Sequence, residues 1–122
     1  MPAVIDLEQA RPHIEAALYY AGGTHSYDDV VAQIHEGRLQ FWPGPHSAVV
    51  TEIQEYPQRR TLHFFLAGGN LAELEVMLPG IMEWGRTQGC TAASMTGRRG
   101  WERTFLKREG WTANLVVMTK EL

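Results

Sequence analysis

A chain of 122 residues, 44% of them apolar and 20% charged, is long enough for one domain with a buried core. A single cysteine, Cys90, excludes an internal disulfide, and no apolar run approaches the ~20 residues of a membrane-spanning helix. The net charge of −3 counts against a general coat for nucleic acid, and the start, MPAVIDLEQA, lacks the basic and apolar regions of a secretion signal, so the expected location is cytoplasmic.

In chain order, Pro2 to Ile5 predict a short first strand, and Asp6 a cap for a helix reaching about Tyr20. Pro12 suits a first turn, which places the regular part of that helix from near Arg11. Ala21-Gly22-Gly23 breaks the chain. Ser26 then reads as an N-cap, with Asp28 and Asp29 where the helix dipole favours acids, Val30, Val31 and Ile34 on the apolar side, and Gly37 at the end. Three strands follow: Arg38 to Trp42, Ser47 to Tyr56 and Thr61 to Ala67, with short links that predict an antiparallel meander. On the second, Val49, Thr51 and Ile53 alternate with Val50, Glu52 and Gln54. On the third, His63 takes the face opposite Leu62, Phe64 and Leu66.

Asn70 can cap a long helix to about Gln88, with Leu71, Leu74, Leu78 and Ile81 at helical spacing and Pro79 as a kink. Thr91 to Met95 is a short strand, Arg99 to Arg108 a basic helix and Trp111 to Thr119 a last strand. The expected order is β-α-α-β-β-β-α-β-α-β. The strand–helix–strand step through residues 61–95 is a crossover and predicts one parallel pair. The expected architecture is a single α+β domain over residues 1–122, a mixed and mostly antiparallel sheet with helices on both faces.

This order resembles the GNAT (acyl-CoA N-acyltransferase) fold over nearly the whole chain. "IMEWGRTQGCTAASM" resembles the end of that family's long central helix and its next strand, and "RTFLKREGW" its last helix and Gly-aromatic pair. The combination "EWGRTQGC…GRRGWERTFLKREGW…VVMTKEL" also resembles small GNAT-like proteins of tailed phages and prophages, which implies a virion-associated or assembly role. The GNAT resemblance implies acetyl-CoA as cofactor, with its pyrophosphate on main-chain groups at Ala67, Gly68, Gly69 and Asn70. Two departures count against transfer. The family's Gly-rich pattern is incomplete there, and Glu73 and Glu75 would repel a pyrophosphate. Where the family often carries a proton-donating tyrosine, this chain has Leu106 beside Phe105.

Among titratable groups, Glu52 and His63 could serve as base toward an amine; solvated-strand and structural roles are the commoner fates of such residues. Glu55 shares the strand of Glu52 and invites the same two readings. The histidines show no metal-ligand spacing, Cys90 lacks an activating neighbour, and Ser47 and Ser94 lack a nucleophile-elbow context. The stretch from Arg98 to Arg108 gathers five of eleven basic residues. Trp101, Phe105 and Leu106 would anchor it on the sheet, while Arg99, Arg103 and Lys107 at i+4 spacing form a basic ridge and Arg98 joins an anion site at the helix start. Surface charge is again the plain alternative.

Two functions follow. The first is a non-catalytic binding or assembly protein that meets a phage or host protein, or a second copy, through the ridge and aromatics such as Trp42 and Tyr56. The second is an acetyl-CoA-dependent N-acetyltransferase acting on a small-molecule or protein amine. The discriminating feature is the gap between the strands at 61–67 and 91–95: a cleft admits a cofactor, whereas Phe65 or Met95 filling it does not. Nucleic-acid binding is disfavoured by charge and by the lack of a motif.

Overall fold

The computed structural model describes residues 7–122, so the strand expected at 2–5 and the cap at Asp6 lie outside the described residues. Helix α1 (Leu7–Leu18) runs through Pro12 rather than starting near it. Ala10 and Ile14 bury its inner face, and that packing offsets the hydrogen bond lost at the proline. Helix α2 (Tyr27–His35) begins at Ser26 with a full capping box: the Ser26 hydroxyl accepts the Asp29 N–H, and the Asp29 carboxylate accepts the Ser26 N–H.

The meander forms as β1 (Gln40–Gly44), β2 (Ser47–Tyr56) and β3 (Arg59–Gly69), paired antiparallel. Pro43 sits inside β1, which the position tolerates because β1 is an edge strand. Helix α3 (Leu71–Thr87) crosses over to β4 (Ala92–Met95), which pairs parallel to β3, giving the sheet order β1-β2-β3-β4. The result is a mixed four-stranded sheet in an α+β domain, with helices on both faces.

The sheet separates two cores. Val49, Leu62, Phe64, Leu74, Leu78 and Ile81 fill the α3 side, and Ala10, Ile14, Val30, Ala48, Val50 and Leu66 the side of α1 and α2. The central strand β2 is therefore apolar on both faces. Its one fully buried threonine, Thr51, accepts the Trp42 indole N–H at 2.9 Å and donates to the Gln40 side-chain carbonyl at 2.9 Å. Trp42 also packs edge-on against Trp84, so it is no free contact residue; Tyr56 is exposed, as expected.

A register shift interrupts the β2–β3 ladder. Val50 pairs with Leu66 and Thr51 with Phe64, which leaves Phe65 as an extra residue on β3. Alternation fails at that point. Leu62 and Phe64 face α3, whereas Leu66 joins Phe65 on the α1 side, contrary to the single face expected for Leu62, Phe64 and Leu66.

The C-terminal part departs most from expectation. Instead of a helix over 99–108 there is a 3-10 turn at Arg99–Arg103, then further turns to Gly110. No side chain caps its start at Arg98, and Thr104 adopts extended backbone while its hydroxyl takes the Trp101 carbonyl, so the helix does not propagate. Trp101, Phe105, Leu106 and Trp111 still pack into the α3-side core. The strand expected at 111–119 does not form: residues 112–122 carry no secondary structure and are exposed. Among the described residues, no helix is long and apolar enough to cross a membrane.

Candidate functional site

Strands β3 and β4 pair from Thr61 and Ala92 to Phe64 and Met95, where β4 ends. β3 continues to Gly69, so its edge beyond Phe64 is free on that side. A cavity of about 150 Å³ opens there toward α1, lined by Ala16, Ala17 and Tyr20 of the α1 end, by β3 from Phe64 to Gly69, and by Met95, Thr96, Arg98 and Trp101. On the α3 side of the same gap only about 20 Å³ remains, between Trp101, Phe105, Leu106 and Trp111. Phe64, Ala67, Met95 and Trp101 line both spaces. A side chain at Gly97 would come within 2.8 Å of the Trp101 ring, which shows how closely the chain wraps this side chain. Phe65 does not plug the gap but stacks, tilted, on His25 with ring centroids 4.8 Å apart.

The strand-to-helix turn is built by packing. A Cβ on Gly68 would lie 2.4 Å from the His13 carbonyl oxygen, because α1 crosses β3 in backbone contact. Gly69 has φ +115 and its Cβ would lie 2.2 Å from the His46 carbonyl oxygen. Asn70 caps α3 by accepting the Glu73 N–H at 2.9 Å, and its backbone is held by the fully buried Ser47, whose hydroxyl accepts the Asn70 N–H at 3.1 Å and donates to its carbonyl at 3.3 Å. Sequence reasoning set Ser47 aside as a nucleophile. Its positioning role depends on a turn 23 residues away, and no local signal announces it.

Glu73 and Glu75 are committed elsewhere. Glu73 accepts the His46 N–H at 2.9 Å, and Glu75 pairs with Arg108 at 2.6 Å. Arg108 thus leaves the basic set. Arg98, Arg99, Arg103 and Lys107 are exposed and stand outside the ion pairs of the described residues, but without a helix they make no i+4 ridge. Arg98 lies over the Tyr20 ring, 3.9 Å from its centroid, at the edge of the cavity. The fold therefore brings together two sets that lie far apart in sequence: Ala67, Gly68 and Gly69 with Arg98.

Glu52 and His63 are cross-strand partners on β2 and β3. Neither lines the cavity; Thr96, which does, reaches His63 Nε2 at 3.4 Å. His63 Nδ1 meets the Ser94 hydroxyl at 2.8 Å. Burial lowers the His63 pKa, and the Glu52 charge opposes that shift, so the site favours the neutral ring. Glu52 accepts the Gln54 amide at 2.7 Å rather than the imidazole, so no nucleophile–base–acid relay forms. Glu55 pairs with Arg60. Cys90 is buried in the α3-side core. Among the described residues no three His, Cys, Asp or Glu side chains gather into a metal cluster.

No family model matches the sequence, and no curated protein matches it significantly. Solved structures do match the fold. A Trypanosoma brucei acetyltransferase superposes with a TM-score of 0.67 over 98% of this chain and 97% of its own, at 13% identity. Wild-type TTHA1254 from Thermus thermophilus follows at 0.62 and 14% identity, over 97% and 93% of the two chains. A tetramutant of BH1408 from Bacillus halodurans gives 0.61 and 12% identity, over 94% and 88%.

The fold is GNAT-like. At such identities the likeness establishes fold alone. Against a GNAT-like frame, acetyl-CoA fits this chain poorly. Pockets for drug-sized ligands run to roughly 300–1,000 Å³, and the cavity of about 150 Å³ holds a fragment. Met95 and Trp101 line that cavity, and Phe105 and Leu106, where a proton donor would stand, are buried apolar side chains.

Proposed function

We propose that the chain is a non-catalytic interaction protein on a GNAT-like scaffold, of the virion-associated or assembly kind that its phage-like segments suggest. The observation that supports this reading is the small cavity, about 150 Å³, walled by Met95 and Trp101, with buried apolar Phe105 and Leu106 where a proton donor would stand. The contact surface is the exposed basic stretch, in which Arg98, Arg99, Arg103 and Lys107 offer unpaired positive charge beside a shallow cavity. A partner protein presenting carboxylates suits that surface, with affinity that falls as salt rises.

Calorimetric titration with acetyl-CoA and with CoA tests the reading. The expected result is no saturable heat up to millimolar ligand. Micromolar, saturable binding overturns it. Gly69→Asp does not serve as a site-specific control, since the His46 carbonyl leaves no room for a side chain and the variant would misfold.

One observation favours the second reading, an acetyl-CoA-dependent N-acetyltransferase. Ala67, Gly68, Gly69 and Arg98 share one cavity, and the first-turn N–H groups of α3 lie just beyond Asn70. Those groups would hold the anionic part of the cofactor, which when bound supplies the acyl thioester. His63, neutral and hydrogen-bonded to Ser94, would accept the amine proton.

A further inference from the structure

The two edges of the sheet are treated differently. β1 carries Pro43, a residue that blunts strand addition. β4, the other edge, carries no proline and no charged side chain: residues 90–97 read Cys-Thr-Ala-Ala-Ser-Met-Thr-Gly. An unprotected edge of this kind is a template for another strand.

The chain also contains an unpaired strand sequence. Residues 111–119, Trp-Thr-Ala-Asn-Leu-Val-Val-Met-Thr, are uncharged and rich in residues that favour extended structure. Trp111 is fixed against Phe64, ring centroids 5.9 Å apart, beside the end of β4. Beyond Trp111 the chain is exposed. Leu115, Val116, Val117 and Met118 are 90%, 75%, 73% and 89% exposed. Four successive apolar side chains in water are a contact surface without its partner. Pairing with the chain's own β4 would have covered them, and among the described residues no strand pairs with that edge.

We infer that Thr112–Thr119 of one copy adds as a strand to the open β4 edge of a second copy, and the second reciprocates, giving a strand-exchanged dimer. Both the edge and the strand lack charge, so no desolvated ion opposes the pairing. Each copy supplies one edge and one strand, so a two-fold arrangement satisfies both and closes at two chains. Extended at about 3.3 Å per residue, eight residues span roughly 26 Å, enough to cover the four residues of β4 and continue beyond them. The inference stands apart from the question of acetyl-CoA binding.

The test is sedimentation of the full chain from low to high micromolar concentration, combined with amide hydrogen exchange over residues 112–119. The expected result is a concentration-dependent dimer in which the Leu115–Met118 amides gain protection of at least tenfold as dimer forms. Val117→Pro, which cannot donate to a ladder and lies outside the monomer's core, should sediment as a monomer with an unchanged near-ultraviolet spectrum. A monomer at all concentrations overturns the inference, whether the segment is unprotected or protected by folding back on its own β4. So does a dimer in which Leu115–Met118 exchange freely. The exchange experiment on the unmodified chain decides the matter even if the proline variant fails to fold.

Discussion

Trp101 lines both the cavity beside α1 and the small void beside α3. Trp101→Ala should join the two spaces and cost about 2–3 kcal/mol, toward the low end for a tryptophan because the ring is half-buried. Urea unfolding measures the loss, and titration of the variant with CoA asks whether this ring limits cofactor binding. Gly68 makes a complementary case. Gly68→Ala drives a methyl into the His13 carbonyl, a backbone atom that cannot rotate away, and should cost roughly 1–3 kcal/mol in the same assay. His63 predicts a pH dependence. Its pKa lies below the ordinary 6.5, so below pH 6.5 the unfolded chain binds the proton that the folded chain refuses. The His63 contribution to stability is level above pH 6.5 and falls as the pH drops from 6.5 toward the lowered folded value. Thermal midpoints between pH 5 and pH 8 should show this slope, and His63→Gln should flatten it.

Elements followed local rules where the signals were strong. The Ser26 capping box and the Asn70 cap both formed where the sequence placed them. Ser26→Ala should lower stability by about 1 kcal/mol, read from a thermal or urea midpoint. β2 matches its expected bounds because alternation over ten residues is hard to mistake. The misplaced features have a common cause. Pro12 sits inside α1 because Ala10 and Ile14 are held by the sheet. The bulge at Phe65 breaks an alternation that looked continuous, since both phenylalanines and Leu66 are apolar whichever face they take. The basic stretch has helical spacing but no cap, with glycines at 97 and 100, and tertiary anchoring of Trp101, Phe105 and Leu106 holds it in a tighter turn.

At the scale of the molecule, the chain divides into a packed body and an uncovered end. Removal of residues 112–122 should leave the unfolding midpoint at low micromolar concentration nearly unchanged, because those residues are exposed. In the full chain that midpoint should rise with protein concentration, and in the truncated chain it should not. The sequence by itself determined the α+β class, the antiparallel meander, the crossover to a parallel pair and the helix caps, because each rests on periodicity or on residues within a few positions of one another. Only the tertiary structure decided that a small cavity opens between the β3 end and Met95–Arg98, that Glu73 and Glu75 turn to His46 and Arg108, and that His63 meets Ser94. It also decided that Arg98 joins Ala67–Gly69 while the strand expected at 111–119 does not form. These outcomes depend on contacts between segments tens of residues apart, where shape, backbone approach and competition for buried space outweigh any local preference.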